Sequence, residues 1–479
     1  RHRCYGERLS VSFNERISPV AAILLAGGLA TAVSMGVRST MGVYLDPITV
    51  DLGISTGAFG FAIAIQNLVW GLGQPIAGAV ADRYGSARVL VAGGVLYIFG
   101  LAAAGAANTS AGISISLGVI TGLGLAGLSF AVILASVGRL VDESRRATAL
   151  ATTTAFGSLG QFVLVPLTQS AIDAFGWRQS LMLGITLLAL AMSSVWPLRS
   201  RSEQSAPSAA KGGGRAILRI AFGYRSYVLL LIGFFVCGFH VTFIGLHLPK
   251  YLEDAGQTSK IAALALATIG LFNIGGTMAI GWLGGRFKNT RLLALLYGIR
   301  AVAFAGMVVV PMSPEFALLS SAVIGVVWLS TVPLTSAIVL KQFGPDHAGI
   351  LFGFVFLSHQ IGAFIGSYGA GIYRDAYGSY SGYWWLAALL GVAGAILHLS
   401  IDEEPYHNLK NPPRPRERNT GLLAKIWNRR KAVGAVTSTI GVMALLGVWS
   451  YLRIDANSEL AGQQAAVICA LHLPFGPLG

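Results

Sequence analysis

The sequence predicts an all-α membrane protein of twelve helices, arranged as two pseudo-symmetric bundles of six. Three observations predict it. First, only 11% of the 479 residues are charged while 54% are hydrophobic. A soluble chain carries roughly 25% charged residues, because its surface must meet water. Second, apolar runs of about 20 residues, the length that crosses a bilayer as helix, recur along the chain. Third, segments of the first half return in the second half at offsets of 202 or 203 positions.

The runs fall at 18–45, 56–80, 88–107, 112–138, 147–171 and 178–197, then at 226–249, 261–284, 292–311, 316–340, 348–372 and 383–400. The first run is too long for a signal-peptide core and lacks a small-residue cleavage site, so it is expected to stay as the first helix. The 61 glycines suit helices that pack closely in lipid. The net charge of +14 sits between the runs, which points to topology rather than nucleic acid. Arg83 and Arg88 follow the second run, Arg139, Arg145 and Arg146 the fourth, and Arg286, Lys288 and Arg291 the eighth. The alternate loops are short, with Asp46 and Asp51 in the first. The positive-inside rule then predicts a multi-pass protein of the inner (plasma) membrane with a cytoplasmic amino terminus.

Residues 1–17 read as a cytoplasmic segment, 18–198 as the first bundle, 199–223 as a basic, Ser- and Gly-rich linker, and 224–402 as the second bundle. The repeat is carried by three matches. Gly78-Ala-Val-Ala-Asp82-Arg83 recurs as Gly281-Trp-Leu-Gly-Gly285-Arg286, Asp173-Ala-Phe-Gly176 as Asp375-Ala-Tyr-Gly378, and Gly160 as Gly362. Residues 403–479 form a basic tail in which 433–452 could span as a thirteenth helix or lie at the interface. Cys4, Cys237 and Cys469 are scattered and imply neither a disulfide framework nor a metal site. Gly122-Leu-Gly124-Leu-Ala-Gly127 matches a dinucleotide-binding pattern, but it lies inside the fourth run, where close helix packing explains it. No cofactor, metal or catalytic constellation is expected, and an enzyme or membrane sensor is disfavoured for lack of a soluble domain.

Gly78-x-x-x-Asp82-Arg83-x-Gly85-x-x-Arg88 resembles the signature loop of the major facilitator superfamily, at the junction of helices two and three where that family carries it. The resemblance covers residues 17–402 and implies the twelve-helix major facilitator fold. Gly36-Val-Arg38-Ser-Thr-Met-Gly42-Val-Tyr44, Arg145-Arg146-Ala-Thr-Ala-Leu-Ala and His359-Gln360-Ile-Gly362 resemble the bacterial monocarboxylate and oxalate/formate-like branch. Asn273 stands in the region where that branch often places a cation on helix eight, and His359 near its cation on helix eleven. By resemblance, Asp82 would contact helix eleven and the Arg ending helix four, Arg139. With Gly78, Arg83, Gly85 and Arg88 it would form a conformational latch. Arg83 and Arg88 also read as plain topology charges.

Arg38 is the most informative candidate for binding, because an Arg inside an apolar run normally faces the bundle interior or water. Its planar fork suits a carboxylate. The alternatives are snorkelling at the outer mouth and a pair with Asp46. Arg300 reads as a second anion contact or as a residue near the cytoplasmic surface. His240 and His359 read as anion- or proton-binding groups or as neutral hydrogen-bonded core residues. Gln161, Asn273 and Gln360 should face the interior, where they meet substrate or bond neighbouring helices. Tyr44 joins the candidates from the helix-one motif.

The expected function is secondary transport of a small organic anion, a carboxylate, by rocker-switch alternating access, working as a monomer in the bilayer. The coupled partner is a proton or a counter-anion. Because the runs hold no clear mid-membrane Asp or Glu, a proton would need a His or the substrate itself. The alternative on the same fold is efflux of amphipathic, drug-like compounds.

Overall fold

A computed structural model describes residues 19–199 and 214–406. The amino-terminal segment 1–17, most of the predicted linker and the tail with its possible thirteenth helix lie outside the described residues.

Among the described residues, eleven helices are long and apolar enough to cross a membrane. In the first half these are α1 (Val20–Leu52), α2 (Thr56–Tyr84), α3 (Ser86–Ala106), α4 (Ser110–Leu140) and α5 (Thr148–Phe175). The twelfth, α6 (Trp177–Ser194), opens on Trp-Arg-Gln, which dilutes its hydropathy. The second half supplies α7 (Arg225–Asp254), α8 (Ser259–Gly284), α9 (Asn289–Val309), α10 (Pro314–Phe343), α11 (His347–Tyr377) and α12 (Ser381–Leu399). Within the predicted linker, Gly214–Phe222 forms a short helix. Its Ala221 is buried, and Phe222 meets the rings of Tyr227 and Phe354, so the helix is docked on the second half.

Helix starts are set locally. Ser55, Thr258 and Ser313 accept the backbone N–H three residues on, at the starts of α2, α8 and α10, and Thr109 does the same at α4. The repeated Asp-Ala-aromatic-Gly segments end α5 and α11. Gly176 and Gly378 both turn the chain at positive φ, 80° and 66°, which glycine adopts without strain.

The duplication is also a packing repeat. Gly160 of α5 lies on the Ala32 carbonyl of α1, and Gly362 of α11 on the Phe235 carbonyl of α7. A Cβ at either would overlap backbone, so each glycine permits the closest approach of its helix pair. Gly122, Gly124 and Gly127 abut Gln66, Tyr97 and Gly93 of the neighbouring helices, which is the packing role expected of them.

Two spans break at repeat-related depth. The α4 span stops at Gly127 and restarts at Phe130, and α10 stops at Val326 and restarts at Thr331. Backbone freed inside a membrane must find partners. Ser34 of α1 donates to the Leu128 carbonyl at 3.2 Å. At the second break, Arg300 of α9 donates to the carbonyls of Val327 and Trp328, while Asn273 of α8 accepts the Leu329 N–H at 2.9 Å.

Candidate functional site

The two halves enclose a central cavity of about 650 Å³. Its lining comes from α1, α2, α4 and α5 on one side and α7, α8 and α10 on the other. It runs from mid-depth, at Ser39, Leu246 and Leu266, toward the end that carries Asp82, Arg139 and Arg286, here called the basic end.

The halves are bonded together from mid-depth to the opposite end. At mid-depth Gln161 donates to the Leu266 carbonyl at 2.9 Å, Asn273 to the Ser158 hydroxyl at 2.7 Å, and Gln360 to the Asn67 carbonyl at 2.9 Å. At the opposite end Lys250 of α7 pairs with Asp46 of α1 at 2.6 Å and with Asp254 at 3.1 Å, and Arg374 of α11 pairs with Asp254. The Asp375 carboxylate accepts the N–H groups of Thr56 at 3.0 Å and Gly57 at 2.7 Å, capping α2 from the other half. The repeat-related Asp173 instead accepts from Gln169 within its own helix. Beyond the last turn of α11, burial pushes the Tyr380 phenol up, so it stays a neutral hydrogen-bonding group beside His247.

Among the described residues, Arg38 is the one charged residue lining the cavity. Its Nη2 donates to Asn67 Oδ1 at 2.9 Å, and its guanidinium stands 4.9 Å from the Trp70 ring centre. Its Nε is buried and meets no acceptor. The guanidinium is thus braced on one edge by an amide and on one face by an indole. Asp46 is engaged by Lys250, so the pairing of Arg38 with Asp46 that the sequence allowed does not occur in this structure.

Gln161 and Asn273 also line the cavity, each tying the halves together as described. The other expected contacts lie elsewhere. Arg300 is 1% exposed, deep in the second half, with its guanidinium turned to the α10 break and Cys237 rather than to the cavity or the cytoplasmic surface. His240 is fully buried, bonds the Ala387 carbonyl at 2.9 Å and packs on Phe304. His359 stacks on Phe356 and bonds Gln360 Oε1 at 3.1 Å. Gln360 is buried in the α2–α11 seam. Tyr44 bonds Ser180 of α6 at 3.0 Å, in a crevice inside the first half.

The predicted latch residues cluster at the basic end. Asp82 pairs with Arg139 at 2.9 Å, and Arg139 reaches the Ser86 hydroxyl at 3.0 Å. Gly85 turns the loop at φ 91°, Gly78 has open space beside it, Arg83 lies over the Tyr84 ring, and Arg88 donates to the Tyr84 carbonyl at 3.4 Å. This Asp82 pair is formed inside the first half, whereas the expected partner also included α11. The cavity polar groups Ser39, Thr154, Ser158, Thr242 and Thr277 were not singled out from sequence, because a lone hydroxyl in an apolar run carries no signal. Lys250, Asp254 and Arg374 were missed as well. They sit at run ends, where charge is ordinary.

A sequence model of the Major Facilitator Superfamily matches residues 27–367. Among curated proteins, Monocarboxylate transporter 13 of Rattus norvegicus is 24% identical over 379 residues, covering 78% of this chain and 86% of its own. Monocarboxylate transporter 11 of Homo sapiens is 27% identical over 355 residues, covering 71% and 73%. Among solved structures, a D-xylose-proton symporter aligns with a TM-score of 0.68 at 14% identity, covering 80% of this chain and 98% of the symporter. The nucleoside transporter NupG aligns at 0.67 and 14%, covering 80% and 99%.

Proposed function

The chain belongs to the Major Facilitator Superfamily, and on that premise we propose that it moves a small organic anion, a carboxylate, across the bilayer by alternating access. One observation carries the anion reading. Among the described residues, the central cavity has a single charged group, Arg38, held by Asn67 and Trp70, with a buried Nε lacking an acceptor. A carboxylate bridging such a fork gains paired charge-assisted bonds. The monocarboxylate transporters among the relatives support the same class.

In this reading the basic end faces the cytoplasm, and the cavity is open inward and shut outward. Substrate release is followed by rocking of the halves, which loosens the Lys250–Asp46 and Asp375–α2 bonds and closes the basic end around the Asp82 loop. Gln161 and Asn273 both line the cavity and join the halves, so they sense substrate and conformation together. His240, Arg300, His359, Gln360 and Tyr44 hold helices in place. With no carboxylate among the described residues of the cavity wall, exchange against a counter-anion or proton uptake on the substrate itself supplies the coupling.

The test is uptake of labelled carboxylates into proteoliposomes by the wild type and Arg38→Ala. Loss of at least tenfold in the variant is expected; undiminished anion uptake overturns the assignment. The mostly apolar wall favours one second reading, efflux of amphipathic compounds. Resistance profiling in a host lacking its own pumps separates the two.

A further inference from the structure

The basic end of the second half is tied by the segment that follows α12. Residues 403–406, which the sequence assigns to the tail, pack there instead. Glu403 is 7% exposed. Its Oε1 accepts the Thr290 backbone N–H at 2.7 Å and the Thr290 hydroxyl at 2.8 Å, and its Oε2 faces Lys341 Nζ at 3.7 Å. The Asp402 N–H donates to the Ser226 hydroxyl at 3.0 Å, the Asp402 carbonyl accepts from Gln342 at 2.7 Å, and Tyr406 packs on Phe343 and Tyr224. One short segment is thus bonded to the basic ends of α7, α9 and α10. The first N–H groups of a helix have no partner within it, and Lys288, at the N-cap position of α9, makes no side-chain cap bond. Glu403 supplies that cap from a distant part of the chain, with its charge at the positive end of the helix.

The first half has a cluster of the same makeup. There Arg139, near the end of α4, joins Asp82 and Ser86, the residue that opens α3. Thr290 lies 204 positions after Ser86 and Lys341 lies 202 after Arg139, in register with the repeat. The position 203 after Asp82 is Gly285, which carries no carboxylate. Each half therefore gathers an acid, a hydroxyl and a cation at its basic end, but the second half draws its acid from beyond α12. Resting on the alternating-access reading above, we propose that Glu403 is a positioning residue for transport: it is the second half's counterpart of Asp82, and it clasps the basic ends of α7, α9 and α10 so that they rock as one body. Glu403 is not on the cavity wall and touches no substrate. A half that rocks as a unit must carry its helix ends together, and these ends come from runs far apart in sequence.

The experiment pairs distances with transport in the full-length chain. Spin labels at Arg225, which opens α7, and Arg291, in the first turn of α9, are both exposed and span the clasp. The parent carrying both labels should give one narrow distance distribution by pulsed EPR. Glu403→Gln, which keeps the side-chain volume, should broaden it and lower the maximal rate of labelled carboxylate uptake severalfold, with the half-saturating concentration unchanged. Glu404→Gln, at an exposed neighbour, should do neither. The deciding variant restores the acid at the repeat position: Gly285 has open space around it, and Gly285→Asp added to Glu403→Ala should narrow the distances and recover most of the uptake. Because loss of a buried acid can simply misfold the chain, this recovery is what separates a missing charge from a damaged fold. An unchanged distribution in Glu403→Gln, a broadened one with undiminished uptake, or no recovery by Gly285→Asp overturns the proposal. Failure of the parent to take up any carboxylate would instead overturn the carboxylate reading, while the distances, which need no substrate, still decide the clasp.

Discussion

Removing the Asp375 carboxylate should open the end of the protein that is shut here. That carboxylate accepts two backbone N–H groups, from Thr56 and Gly57, at the positive end of α2 in the opposite half. Bonds of this kind to a charged group contribute about 1.5–3 kcal/mol each when buried. Asp375 is exposed, so solvent competes and the pair is discounted to about 2 kcal/mol in total. At 1.4 kcal/mol per tenfold, that is a shift of about 30-fold toward the opened state. From a starting split of roughly 99:1, about a quarter of molecules would then be open. Spin labels at Val50, in the last turn of α1, and Lys260, in the first turn of α8, report on this by pulsed EPR in a background lacking the native cysteines. Asp375→Ala should add a second, longer distance population. Asp173→Asn should not, since Asp173 is bonded within its own helix. A single unchanged distribution for Asp375→Ala would refute the reasoning.

The Asp82–Arg139 pair is 40% and 32% exposed, and such pairs contribute about 0–1 kcal/mol. Asp82→Asn should therefore leave the thermal midpoint in detergent nearly unchanged while lowering transport turnover severalfold; parallel losses in both would mark a merely structural loop. Gly160→Val and Gly362→Val must push α1 from α5 and α7 from α11, where a Cβ already overlaps backbone. Each should cost at least the ~1–3 kcal/mol of overpacking and lower the midpoint by several degrees, whereas Gly298→Ala, with open space at its Cβ, should leave it unchanged or raise it slightly.

Much of the fold was legible, and for a plain reason: a bilayer forces apolar length and charge spacing onto the sequence. The repeat was readable because Gly160 and Gly362 are fixed by the same kind of backbone contact in both halves, and Gly176 and Gly378 both take a positive φ. The site was only partly legible. Arg38 showed itself, since an Arg inside an apolar run needs a reason. The same rule drew attention to Arg300, where the reason is a broken helix that no sequence pattern announced. Position within a run gives depth but not azimuth, so it could not show that His240 faces α12 while Asn273 faces the cavity. Asp375 stood out only as part of a repeat; its partner lies on a helix more than 300 residues away in sequence.

The paired glycines also define a ruler. Because α1 is pressed to α5 and α7 to α11 at backbone distance, each pair forms a stiff slab, and labels placed within one slab should keep a fixed separation throughout turnover. Labels placed across slabs carry all of the signal. Any time-resolved measurement on this chain thus has its internal reference built in, and a within-slab distance that varies would report loosening of the protein rather than a step of its cycle.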